Sequence, residues 1–99
     1  GAVRAYALVP VTTASLSGRV LTANGGGIRN AFVTISGGNL AAPVTVKTGS
    51  FGFFSFRDLQ EGATFTVSVS AKRYSFAVST VSVNAVGATG NVDFGALPD

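Results

Sequence analysis

Apolar and polar residues alternate with a period of two through most of this chain, most densely over residues 49–70. Gly52, Phe54 and Phe56 fall on one face of an extended strand, and Phe65, Val67 and Val69 fall on one face of the next. Between them, Arg57-Asp58-Leu59-Gln60-Glu61-Gly62 is polar except for Leu59, so the stretch reads as a hairpin-like unit that reverses at Gly62. Two strands with this much aromatic and β-branched surface on one side require an opposing layer to cover it.

The remaining segments supply that layer. Residues 16–23 read as a strand with Leu16, Gly18 and Val20 inward, and Asn24-Gly25-Gly26-Gly27 is the strongest turn signal in the chain. Ala31, Val33 and Ile35 then alternate with Asn30, Phe32, Thr34 and Ser36. A short strand carries Val44, Val46 and Thr48, and Tyr74 turns back over the core edge. Residues 76–84 are extended, and Val92, Phe94 and Ala96 close the domain. About seven short strands separated by frequent turn signals, with no helical period, predict an all-β protein. Antiparallel Greek-key packing of two sheets is the simplest such architecture, and a closed barrel is the second.

Residues 2–11 stand apart. Val3, Ala5, Ala7, Val9 and Val11 share one alternation and Arg4, Tyr6, Leu8 and Pro10 the other, so both faces are mostly apolar, as in a strand covered on both sides. Pro10 confines the segment to an edge or bend, and residues 12–15 read as a polar hinge.

Composition narrows the function. Ninety-nine residues are enough for one domain with a single core. The chain has no Cys, so no disulfide or thiolate site constrains it. Charged residues make up 11%, against about 25% in ordinary soluble domains. Ser, Thr, Asn and Gly wet the surface instead, which suits a secreted protein or a subunit flanked by neighbours. The net charge of +3 comes from scattered basic residues without the basic stripe of a nucleic-acid binder. No apolar run reaches the roughly 18 residues of a transmembrane span, and no signal-peptide pattern opens the chain.

Several blocks in fixed order now carry a resemblance: Leu16-Ser17-Gly18-Arg19-Val20, then Gly27-Ile28-Arg29-Asn30-Ala31-Phe32-Val33-Thr34-Ile35, then residues 49–56, Gly62, residues 65–69 and Arg73-Tyr74-Ser75-Phe76. The pattern GxV, turn, GIxxAxVxI, GxFxF and an alternating strand resembles the carboxypeptidase-regulatory-like domain over residues 16–97. The resemblance implies a seven-stranded antiparallel Greek-key sandwich of transthyretin-like type, related to Cna B-type surface domains. In secreted and cell-surface bacterial proteins such domains act as spacers, stalks or accessory modules without catalysis. The chain then divides into an N-terminal strand arm and hinge at 1–15 and the sandwich at 16–97.

The residue inventory agrees that this is no enzyme. The chain has no His, so neither a Ser-His-carboxylate triad nor a His-ligated metal can form. Asp58 and Glu61 lack the run of oxygen ligands that Ca²⁺ needs, and Glu61 and Asp93 give no sign of a paired-carboxylate cleft. An intramolecular amide of the Cna B type would have to draw on Lys47, Asn91, Asp93 and Glu61, but Lys47 alternates out of phase with the core and reads as an exposed strand lysine. No cofactor, metal or small-molecule ligand is expected.

Contact surfaces remain. Phe54, Phe56, Phe65 and Phe94 are core by alternation, whereas Phe32, Phe51 and Phe53 fall on the outward phase and form a candidate contact patch suited to protein. The arm can add as a strand to a sheet edge. If it reaches into the next copy, the head-to-tail contact does not close and builds a filament. The sequence therefore predicts a non-enzymatic extracellular structural subunit that assembles with other copies of itself through Val3, Ala5, Tyr6, Ala7, Leu8, Val9 and Val11. The alternative is a monomeric accessory module of a secreted enzyme or adhesin, contacting protein or carbohydrate.

Overall fold

A computed structural model describes residues 13–38 and 40–98. The arm at residues 2–11 lies outside the described residues. Among the described residues, eight strands run in order: β1 (Thr13–Leu21), β2 (Phe32–Gly37), β3 (Val44–Lys47), β4 (Phe53–Gln60), β5 (Thr64–Ser70), β6 (Thr80–Asn84), β7 (Ala88–Thr89) and β8 (Phe94–Gly95). One sheet has the order β4-β1-β7, with β8 also paired to β1, and the other has the order β3-β2-β5-β6. Two separate sheets make this a sandwich rather than a barrel.

Three expectations change. The expected seven strands become eight, because two ladders of only two residues each, β7 and β8, are too short to show as periodicity. The sandwich is not wholly antiparallel, since β7 and β8 both run parallel to β1. The third concerns the stretch that dominates the sequence: β4 and β5 do not form a hairpin. β4 pairs with β1, and β5 pairs with β2 and β6. The short link through Gly62, whose φ is 82°, carries the chain from one sheet to the other. The apolar faces of β4 and β5 thus belong to opposite layers of one core.

The core follows the alternation. Leu16, Val20, Val33, Ile35, Phe54, Phe56, Phe65, Val67 and Phe94 are all buried. Leu59 is buried too, although it is out of phase with Phe54 and Phe56. The register between β1 and β4 shifts between Ala14, opposite Leu59, and Leu16, opposite Phe56. Asp58 stands at that bulge with φ 59°. One extra residue there turns Leu59 inward. At this same end of the pairing, Thr13, Ala14 and Ser15 belong to β1 rather than to a hinge, and Ala14 is buried.

Thr48 is the buried polar residue among the described residues. Its hydroxyl donates to the Ile28 carbonyl at 2.6 Å and accepts from the Ala31 amide at 2.9 Å. Main-chain bonds from Asn30 N–H to Thr48 O and from Thr48 N–H to Ala31 O complete the clamp on the 28–31 turn. Replacement by the isosteric valine leaves a buried carbonyl and amide without partners, each a cost of about 1–3 kcal/mol. Thr48→Val is expected to lower the urea midpoint followed by far-UV circular dichroism. An unchanged midpoint would mean that water replaces the hydroxyl.

Candidate functional site

Three glycines of the sequence blocks bring backbone against backbone at one end of the sandwich. A Cβ at Gly18 would collide with the Val92 carbonyl, one at Gly27 with the Phe51 carbonyl, and one at Gly52 with the Val20 carbonyl and the Ile28 amide. Val20 N–H donates to Gly52 O and Ile28 N–H to Val20 O, both at 2.8 Å. This crossing holds the 49–52 turn rigidly beside β1 and so places Phe51 and Phe53.

Arg19, opposite Phe53 in the β1–β4 register, organises these two rings. Its Nε and Nη2 donate to the Phe51 carbonyl at 3.2 and 3.0 Å, and its guanidinium lies 4.7 Å from the centre of the Phe53 ring. Its backbone amide donates to Asp93 Oδ1 at 2.9 Å. The planar guanidinium is thereby held over an aromatic face, where the ring quadrupole favours it. Phe51 and Phe53 nevertheless remain 71% and 57% exposed, so the cluster presents two rings to solvent.

Phe32 is also exposed, but it sits on β2 of the other sheet. Its cross-strand partner is Lys47 on β3, whose Nζ lies 6.0 Å from the ring centre. Phe51 and Phe53 are brought together around Arg19, and Phe32 is not part of that cluster. An open groove of about 420 Å³ between the β3 and β4 edges is lined by Ser17, Val46, Lys47, Phe53, Phe54 and Ser55. Lys47 and Phe53 meet there, which links the two cation-aromatic pairs along one side of the sandwich.

The acids weighed for chemistry serve the backbone instead. Both Glu61 carboxylate oxygens accept from the Gly87 amide, at 3.0 and 3.2 Å, and Asp93 caps Arg19 as above. No group of three or more His, Cys, Asp or Glu side chains able to hold a metal occurs among the described residues, and no described helix is long and apolar enough to cross a membrane. The assembly residues Val3, Ala5, Tyr6, Ala7, Leu8, Val9 and Val11 lie outside the described residues.

Two features escaped the sequence reading. Arg19 shows as one more scattered cation, because only the β1–β4 register puts it on Phe53. A free sheet edge is equally invisible before strand order is known.

A family model for the carboxypeptidase regulatory-like domain matches residues 15–96. Comparison with curated proteins finds no match. Among solved structures, the crystal structure of a DUF3823 family protein from Parabacteroides merdae superimposes with a TM-score of 0.67 at 21% identity. That likeness covers 90% of this chain and 48% of the other, so the chain spans about half the length of that protein. At this identity the likeness speaks for the fold alone, and it agrees with the two-sheet sandwich. The chain belongs to the carboxypeptidase regulatory-like domains, a family of non-catalytic β-sandwich modules.

Proposed function

We propose that this protein is a non-enzymatic, extracellular structural module that works through its surface. The observation that carries this reading is that the described residues close one core between two sheets, with buried apolar side chains running from Ala14 to Ala96. What it offers outward is an aromatic-cationic rim at Arg19, Phe51 and Phe53, and sheet edges.

Two arrangements use such a module. In the first it is an accessory or spacer module of a longer surface or secreted protein, with the rim as a protein contact. The occurrence of a similar sandwich within a protein about twice as long favours this. In the second it is a subunit that joins other copies by lending residues 2–11 to a neighbour's sheet edge. The apolarity of both alternations of that segment favours this.

One comparison tests both levels. A chain of residues 13–99 is expected to fold with a melting temperature close to that of the full chain. Failure to fold would overturn the self-contained module. Size-exclusion chromatography with light scattering then separates the arrangements: only the second requires high-mass species from the full chain that vanish on truncation, and a monomeric full chain leaves the first.

A further inference from the structure

Among the described residues, one sheet edge of the sandwich lacks the usual protection. On β4 the edge is broken by the Asp58 bulge and carries Arg57 and Asp58. β3 has only four residues, follows Pro43 and ends in Lys47. β7 and β8 have two residues each. β6, Thr80-Val81-Ser82-Val83-Asn84, has five residues with no charge, proline or bulge, the combination that proteins ordinarily avoid at an edge.

The hydrogen-bond phase shows what this edge offers. Val69 N–H donates to Ser79 O and Ala85 N–H to Ala63 O, so the odd-numbered residues of this segment bond to β5. In an antiparallel ladder the alternate residues then direct their N–H and C=O groups away. Thr80, Ser82 and Asn84 therefore present their main-chain groups to the open side. Val81 and Val83 are only half-buried, and Val78 and Val86, just before and just after the strand, are 59% and 58% exposed. The edge is thus apolar at its core rim and unpaired along its backbone among the described residues.

We propose that β6 is the acceptor edge for residues 2–9 of a second copy, an inference that rests on the assembly arrangement above and names its receiving site. Small side chains on one alternation of the donor, Val3, Ala5, Ala7 and Val9, fit beside Val81 and Val83. The other alternation, with Arg4 and Tyr6, stays on the solvent side with Thr80, Ser82 and Asn84. Pro10, which has no N–H, ends the pairing. A neighbour's edge is favoured over the chain's own for a geometric reason. Ser15 N–H donates to Gly87 O, so β1 begins at the end of the sandwich where β6 finishes. A donor folded back on its own β6 would lie parallel to it, whereas a donor in trans can take the more stable antiparallel pairing.

The test uses the full chain and two kinds of variant. Ser82→Pro removes an amide that faces the open side, so the β5–β6 ladder stays intact, and Ser82→Lys blocks the same edge by charge. Ala5→Pro with Tyr6→Pro interrupts both alternations of the donor. Light scattering is expected to show concentration-dependent multiples of the 9.9 kDa monomer for the full chain and monomers for each variant, with unchanged far-UV circular dichroism. An equal mixture of the edge-blocked and donor-blocked chains should give a 1:1 dimer and nothing larger. If the donor-blocked chain is monomeric while both Ser82 variants assemble like the parent, or if the mixture stays monomeric, β6 is not the acceptor. If the parent is itself monomeric, or the donor-blocked chain assembles like it, the assembly arrangement fails and this inference with it.

Discussion

Phe65→Ala is expected to lower the unfolding free energy by about 3–5 kcal/mol, the largest loss from any single truncation considered for this chain. Phe65 is fully buried on β5, an interior strand of its sheet. Its ring lies against the backbone of Gly38, where an added Cβ would overlap the ring atoms and where φ is +53°. That wall is the main chain of a turn closed by the Leu40 N–H to Gly37 O hydrogen bond, so filling the space that the ring vacates requires the turn to shift. The cavity term therefore adds to the lost transfer free energy. Domains of this size have about 5–15 kcal/mol in total, so this single truncation removes a large share of the stability. Urea unfolding followed by far-UV circular dichroism measures the change; a loss under about 1 kcal/mol would mean that the core can collapse around the gap.

Gly52→Ala is the second large effect, at about 2–5 kcal/mol from a left-handed backbone and a steric collision together. Gly52 has φ +82°, and its Cβ would meet the Val20 carbonyl and the Ile28 amide, both main chain. Relief requires parting the Val20–Gly52 hydrogen bond that ties the 49–52 turn to β1. Gly62 supplies the control, because it has the same φ of +82° with nothing within 4 Å of its Cβ position. Gly62→Ala should cost only the conformational part, about 1–2 kcal/mol. Equal losses at the two positions would remove the argument that the glycine crossing positions Phe51 and Phe53 by close backbone approach.

That crossing also gives a physical meaning to the sequence blocks that carry the family likeness. Gly18, Gly27 and Gly52 open the GxV, GI and GxF blocks, and each is a point where a side chain would strike the backbone of another segment of the chain. The blocks are therefore records of how the strands cross, which explains why they identify a fold and no reaction. Arg19 lies within the first block yet had no assignable role until its register partner Phe53 was known. The groove shared by Lys47 and Phe53 depends on β3 and β4 flanking the same side, which local patterning does not specify.

Periodicity alone determined which side of the core strands faces inward: Phe54 and Phe56, then Phe65, Val67 and Val69, and Val33 and Ile35 are buried as their alternation requires, because side-chain direction in a strand is a local property with a period of two. Tertiary structure decided everything that depends on which strands are neighbours. It sent β4 and β5 to opposite sheets, turned Leu59 inward through a bulge, ran β7 and β8 parallel to β1 and set β6 at the end of its sheet among the described residues. The physical reason is that an alternating strand is satisfied by any partner with free hydrogen-bonding groups and a matching apolar face. The choice among partners is made by the whole chain closing one core.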